Sequence, residues 1–353
     1  MLQNKGEKKD KIQQPMYELL PEMTYKQKQW CYAMSFNHTR TLLALAANQD
    51  IKIFQFADGF MKQIQQLRAH SYLITTLNTL RSRQHLISSS EDTSIIIWST
   101  NLLQNPKYLI KLKGHQSYIN CLVVHPINEN LIVSGSDDKT IKFWSNHIST
   151  QQLINHEDQK TWFCSQTIND HTSMVYGLSI NQNGNKLLSC GNDNIILLLS
   201  SSNKQKWQVL QKIKVDKVGF RLSFITDNLF AFQVWARKFI LIYSISQVGR
   251  CIKQKEIVIK GEGATCMQYF PLIYNSAKQI LISKNRQNIN ILSLKFSAQS
   301  NSYSCDIEQN IDYGDFRIFG TMSDDGEFLI TWDQNSQSIQ VRKFRQKIGK
   351  KDG

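Results

Sequence analysis

The phrase SGSDDKTIKFW fills residues 134–144, and a near copy, SSSEDTSIIIW, fills residues 88–98. Recurrence at a period of tens of residues marks a chain assembled from copies of one small unit. Each such unit buries its apolar face only against its neighbours. No other feature of this sequence restricts the fold as strongly. A third copy, SCGNDNIILLL at 189–199, keeps Asp193 and ends in Leu199 where the others end in Trp98 and Trp144. Upstream, AANQDIKIF ends at Phe54; downstream, RKFILIY ends at Tyr243, RQNINIL at Leu292 and SQSIQVR at Arg342. The spacings between these end points are 44, 46, 55, 44, 49 and 50 residues, which makes seven copies.

Every copy has the same interior. An alternating apolar run comes first, such as YINCLVV (118–124) or MVYGLSI (174–180). A polar turn (NHTRT, HPINEN, NQNGN or SDDGE) leads to a second apolar run, then an Asp-containing turn, then a third run. A more polar fourth run closes the unit, as in YLIKLKGH (108–115) or WFCSQTINDH (162–171). Four short β-rich runs between turn residues predict a four-stranded antiparallel sheet per copy. No long stretch has helical periodicity.

Gly114–His115 followed by SGSDDKTIKFW resembles the WD40-repeat β-propeller family, and the likeness extends over residues 16–345. It is strong in copies two to four and weak in copies five to seven. The resemblance implies an all-β fold, a seven-bladed β-propeller of four-stranded antiparallel blades. It also implies a structural brace in each well-formed blade, since a buried His needs partners for both ring nitrogens. Carried onto this chain, the brace is His115, Asp138, Ser134 or Ser136, and Trp144 in copy three. In copy two it is His70, Asp92, Ser88 or Ser90, and Trp98; copy four keeps His171 and Asp193 without the Trp. No histidine follows His171, so copies five to seven are expected to hold together by apolar packing alone and to be looser.

A propeller must close, because an open ring exposes a sheet edge. Only three strands are evident in the last copy. The missing fourth is expected within Met16–Trp30, so that the N-terminal strand closes the ring. The flanks, 1–15 and 346–353, read as a flexible basic tail and a basic C-terminal tail around one propeller domain.

No reaction centre can be assembled, so an enzyme is not expected. GEGAT (261–265) lacks a phosphate-loop lysine, and SGS at 134–136 belongs to the repeat. The His–Asp–Ser sets recur once per blade, which fits a brace and not a catalytic triad. His38, His85, His125, His147 and His156 are scattered, and no metal or cofactor is expected. Seven cysteines without a CxxC pair suit a reducing compartment, the cytoplasm or secondarily the nucleus. No apolar run is long enough for a membrane span.

Function in such a fold is read from loops at one end. The candidate protein-binding rim, at the narrower end, comprises Tyr72, Glu91, Tyr118, Asp137, Met174, Asn192, Lys217, Trp235 and Arg237. The leading reading is a protein-interaction scaffold or subunit of a multiprotein complex, bound to other proteins. A more specific alternative rests on WFCSQTINDH, which is similar to the WD-repeat adaptor of the cytosolic iron–sulfur protein assembly targeting complex. A third reading starts from charge. The formal net charge is +14, and residues 201–260 hold twelve Lys/Arg against three acids. That stretch could meet a polyanion, RNA or a phosphoinositide headgroup.

Overall fold

A computed structural model describes residues 16–81, 84–100, 108–146, 162–201, 206–261, 266–296 and 303–345. The two tails named above, together with His147, His156 and most of GEGAT, lie outside the described residues. The described chain forms seven antiparallel sheets, and in six of them the strands follow one another in sequence. Blade one runs Met34–Phe36, Leu42–Ala47, Asp50–Ala57 and Phe60–Arg68 from the inside outward. Blade three runs Ile119–Val124, Leu131–Ser136, Ile141–Ser145 and Phe163–Ile168.

The seven copies keep one register. Phe54 pairs Leu43, Trp98 pairs Leu86, Trp144 pairs Ile132, and Leu199 pairs Leu187. Tyr243 pairs Phe230, Leu292 pairs Leu281, and Arg342 pairs Leu329. In every blade the end point of the repeated phrase faces the second residue of the second strand. The side-chain period of two fixes which face each residue joins, so a conserved register means a conserved core face. The second strands accordingly read as near-continuous buried runs, with Leu229–Val234, Ile280–Asn285 and Phe328–Asp333 buried at all positions.

The last blade is completed by both ends of the chain. Ile318–Met322, Phe328–Asp333 and Ser338–Phe344 supply three strands. Tyr17–Leu19 and Tyr25–Lys26 both pair antiparallel with Ser338–Phe344 and form the outer edge. Side chains lock this seam. The Tyr17 hydroxyl donates to the Gly326 carbonyl at 2.7 Å, and the Trp332 indole donates to the Gln27 carbonyl at 2.8 Å. Both aromatic side chains are almost wholly buried.

Each turn between second and third strands carries a non-glycine residue at positive φ: Asn48, Thr93, Lys139, Asn194, Ala236, Arg286 and Gln337. Such a conformation needs local support. In three blades an aspartate gives it: Asp92, Asp138 and Asp193 each accept the backbone N–H two residues on, at 3.0, 3.0 and 3.2 Å.

Candidate functional site

The brace residues meet in blades two to four. His115 Nδ1 lies 2.7 Å from Asp138 Oδ2 and its Nε2 lies 2.7 Å from Ser134 Oγ, which also accepts the Trp144 indole N–H at 2.9 Å. His70, Asp92, Ser88 and Trp98 repeat this geometry at 2.9, 2.7 and 2.8 Å. In blade four His171 reaches Asp193 and Ser189, each at 2.8 Å. The histidine partner is thus Ser88 or Ser134; Ser90 and Ser136 instead donate to the carbonyls of Tyr72 and Ser117. Burial alone pushes the Asp92, Asp138 and Asp193 carboxyls up, but hydrogen bonds from histidine, hydroxyl and backbone N–H groups outweigh it. All three are held below the usual carboxylate range.

Apolar packing alone does not hold all of blades five to seven. Blade five fits that expectation: Phe232 occupies the serine position, and Phe230 stacks on Tyr243 at 5.1 Å. Blade seven rebuilds the brace in other residues. Tyr313 stands at the histidine position with its hydroxyl 2.9 Å from Thr331 Oγ1, and Arg342 donates to Thr331 at 3.0 Å from the tryptophan position. Asn335, at the aspartate position, donates to the Tyr313 carbonyl at 3.0 Å. In blade six the Asn290 side chain bonds both the N–H and the carbonyl of Lys260.

The inner strands enclose a central channel of about 480 Å³, within the range of ligand-binding clefts. One mouth is built by the junctions between blades and the Asp turns. Four equivalent backbone bonds fasten these loops together: Glu91 N to Leu73 O, Asp137 N to Tyr118 O, Asn192 N to Met174 O and Trp235 N to Val218 O. Tyr72, Tyr118 and Met174 are exposed by 58, 45 and 38%, and Asn192, Lys217 and Arg237 are exposed too. Tyr72 sits one residue earlier in its loop than Tyr118 and Met174 do. Trp235 is half-buried and tilted against Phe220 at 6.2 Å, so it does not project from the rim as Tyr72 and Tyr118 do.

The aromatic residues around this mouth carry no signal along the chain. Tyr269 reaches from blade six to stack on Tyr32 of blade one at 4.9 Å, and its hydroxyl stands 3.4 Å from Glu91 of blade two. Tyr176 meets Phe220 edge-on at 5.0 Å. Tyr32, Tyr176 and Phe220 fall in runs that read as core from sequence alone. Burial raises the Glu91 carboxyl, and the charge of Asp137 adds to it against the Tyr269 hydrogen bond. Asp137 is raised by burial and by Asp138, against a hydrogen bond from Asn120.

Farther round the ring, Arg221 and Lys284 are buried together. Arg221 donates to the carbonyls of Phe270 and Met267 and to the Cys266 sulfur, and Lys284 lies over the Phe319 ring. Burial lowers the Lys284 ammonium, whose nearby Cys266 opposes this and whose neighbour Arg221 reinforces it. Burial raises the Cys266 thiol, but Arg221 and Lys284 outweigh it and lower it. Both groups therefore hold fewer protons in the folded than in the unfolded chain at neutral to alkaline pH. Stability should rise from pH 7 to 9, and Lys284→Met should flatten that rise in urea titrations. An unchanged slope in the variant would show that Lys284 does not carry it.

The basic stretch is dispersed. Lys212 pairs with Asp170 and Lys253 with Glu256, Arg221 is internal, and Lys204 lies outside the described residues. The exposed lysines of Trp207–Lys214 and Cys251–Val258 alternate along the outer strands of blades four and five.

A closed ring of seven four-stranded blades, three of them carrying the His–Asp–Ser brace, defines a β-propeller. The chain carries three WD repeats: the model of the WD domain, G-beta repeat matches residues 61–99, 106–145 and 162–199. It is similar to the nuclear distribution protein PAC1 of Komagataella phaffii, 32% identical over 35% of this chain and 22% of that protein. The WD repeat-containing protein 26 homolog of Arabidopsis thaliana is 27% identical over 35% of this chain and 20% of its own length. The intraflagellar transport protein 122 homolog of Mus musculus is 25% identical over 56% of this chain and 14% of its own. The chain spans about a fifth or less of the length of these relatives.

Proposed function

We propose that this protein is a non-catalytic interaction scaffold, one subunit of a multiprotein complex, that docks a partner on the channel mouth ringed by Tyr72, Tyr118 and Met174. The observation that carries the reading is the exposure of these three large side chains on loops of consecutive blades around one opening. Tyrosine and methionine are enriched at protein interfaces, and burying them supplies much of the binding energy. WD-repeat relatives named for nuclear distribution and intraflagellar transport support a role in assembly. Seven free cysteines suit the cytoplasm or nucleus.

Tagged purification with mass spectrometry tests this, with wild type beside the Tyr72→Ala, Tyr118→Ala, Met174→Ala variant. A stoichiometric partner set present for wild type and lost for the variant is expected, at an unchanged melting temperature. A variant that retains its partners would move the docking face elsewhere. Iron–sulfur targeting subunits in the set would select the adaptor alternative, whose sequence support is confined to the outer strand Phe163–Ile168. RNA or lipid in place of protein would turn attention to the lysines of blades four and five.

A further inference from the structure

We propose that Cys266, seated in a cradle of two buried cations at the junction of blades five and six, is a modification site oxidised by hydrogen peroxide to a sulfenic acid. Arg221, on the inner strand Gly219–Thr226 of blade five, points Nη2 at the Cys266 sulfur over 3.5 Å. Lys284, on the second strand of blade six, donates to the same sulfur, and so does the backbone N–H of Arg286 in the turn that follows. Arg221 is 3% exposed and Lys284 0%. Among the described residues neither is in ion-pair contact with a carboxylate. Asp315, whose charge reaches Lys284, is itself held by Arg317. Two cations taken out of water are costly unless an anion faces them. The sulfur is the group on which both converge, and a guanidinium keeps its proton, so the cradle stays positive.

Exposure does not set this thiol apart. Cys121, Cys251, Cys266 and Cys305 are all partly exposed. Burial pushes Cys251 and Cys305 up to about 11, against the charges of Lys186 and Lys255. Burial raises Cys121 too, and the charge of Cys190 adds to it. Burial also works to raise Cys266, but Arg221 and Lys284 outweigh it and bring the thiol down to about 7. The thiolate is the nucleophile, and reactive cysteines occupy partly exposed, electropositive surroundings of this kind.

The step needs one co-reactant, hydrogen peroxide. The thiolate attacks one peroxide oxygen: an S–O bond forms, the O–O bond breaks, and the attacked oxygen keeps its hydrogen to give the sulfenic acid. Sulfur loses two electrons and the peroxide gains them. The departing hydroxide takes a proton from the Lys284 ammonium and leaves as water. Lys284 thus supports the thiolate before the reaction and supplies the proton during it, while Arg221 holds its charge throughout.

The full chain is treated with limiting iodoacetamide at pH 6, 7 and 8, and separately with hydrogen peroxide in the presence of dimedone, which traps sulfenic acids. Peptide mass spectrometry reads each cysteine. At pH 7 Cys266 should be alkylated at least about tenfold faster than Cys251 or Cys305, its partly exposed counterparts. Its rate should bend over near neutral pH while theirs still climb at pH 8. Peroxide should place the dimedone adduct on Cys266 before either of them. Lys284→Met, with its melting temperature as folding control, should slow alkylation of Cys266 at pH 7 and move the bend to higher pH. Should that variant fail to fold, the comparison of the three cysteines in wild type decides alone. Alkylation of Cys266 no faster than of Cys251 and Cys305, or an unmoved bend in a folded Lys284→Met chain, would overturn the cation cradle. Fast alkylation without a dimedone adduct would overturn the peroxide reaction.

Discussion

Deleting residues 1–30 is expected to abolish cooperative folding. The deletion strips Tyr17–Leu19 and Tyr25–Lys26 from the strand Ser338–Phe344 and leaves that strand as an open edge. It also removes Tyr17 from the cluster of Phe270, Ile280, Ile318 and Leu329, and takes Trp30 from beside Trp332. Loss of one buried aromatic costs roughly 3–5 kcal/mol. Loss of Tyr17 on that scale, with the partly buried Trp30 and the hydrogen bonds of Tyr17 and Trp332, reaches the lower part of an ordinary domain's stability, about 5–15 kcal/mol. Circular dichroism of the truncated chain should show no sharp thermal transition, and gel filtration should show aggregates. A truncated chain melting at the full-length temperature would mean that blade seven stands on three strands.

The second large effect belongs to the brace. Asp138→Ala should destabilise the protein by about 3 kcal/mol, the scale for leaving buried hydrogen-bond donors without their charged acceptor. Asp138 accepts from His115, from the Gln116 N–H, and from both the N–H and the hydroxyl of Thr140, so its loss orphans several donors at once. Ser134→Ala, which removes one hydroxyl, should cost less than half as much. The same carboxylates set an acid limit. Their folded pKa lies below the unfolded value near 4, so their stabilisation is complete above about pH 4 and is lost as pH falls through the lower folded values. Urea unfolding at pH 7 and pH 3 should therefore show a smaller acid loss for Asp138→Ala than for wild type. Equal losses would assign the acid sensitivity to other carboxylates.

The seven-fold count, the four-stranded units and the closing N-terminal strand were legible because they are local. Turn residues, alternation and the terminal aromatic recur within each stretch of about fifty residues, and the register of Trp98, Trp144 and their counterparts follows from that period. The brace was legible in blades two to four for the same reason. Its replacement in blade seven by Tyr313, Thr331, Asn335 and Arg342 was not, because a phenol, a hydroxyl, an amide and a guanidinium share no residue type with the repeated motif. Trp235 read as a projecting rim residue, but the pairing of Gly219 with Val234 inside blade five brings it against Phe220.

The sequence by itself determined that this protein is a ring of seven four-stranded sheets, since strand period, turn chemistry and repeat length are properties of neighbouring residues. Only the tertiary structure decided what stands at the channel mouth. Tyr32 and Tyr269 are stacked at 4.9 Å, and Glu91, Asn120 and Asp137 join them from two further blades. No period along the chain encodes that cluster. It exists because the ring closes, and closure brings residues from different blades to one axis.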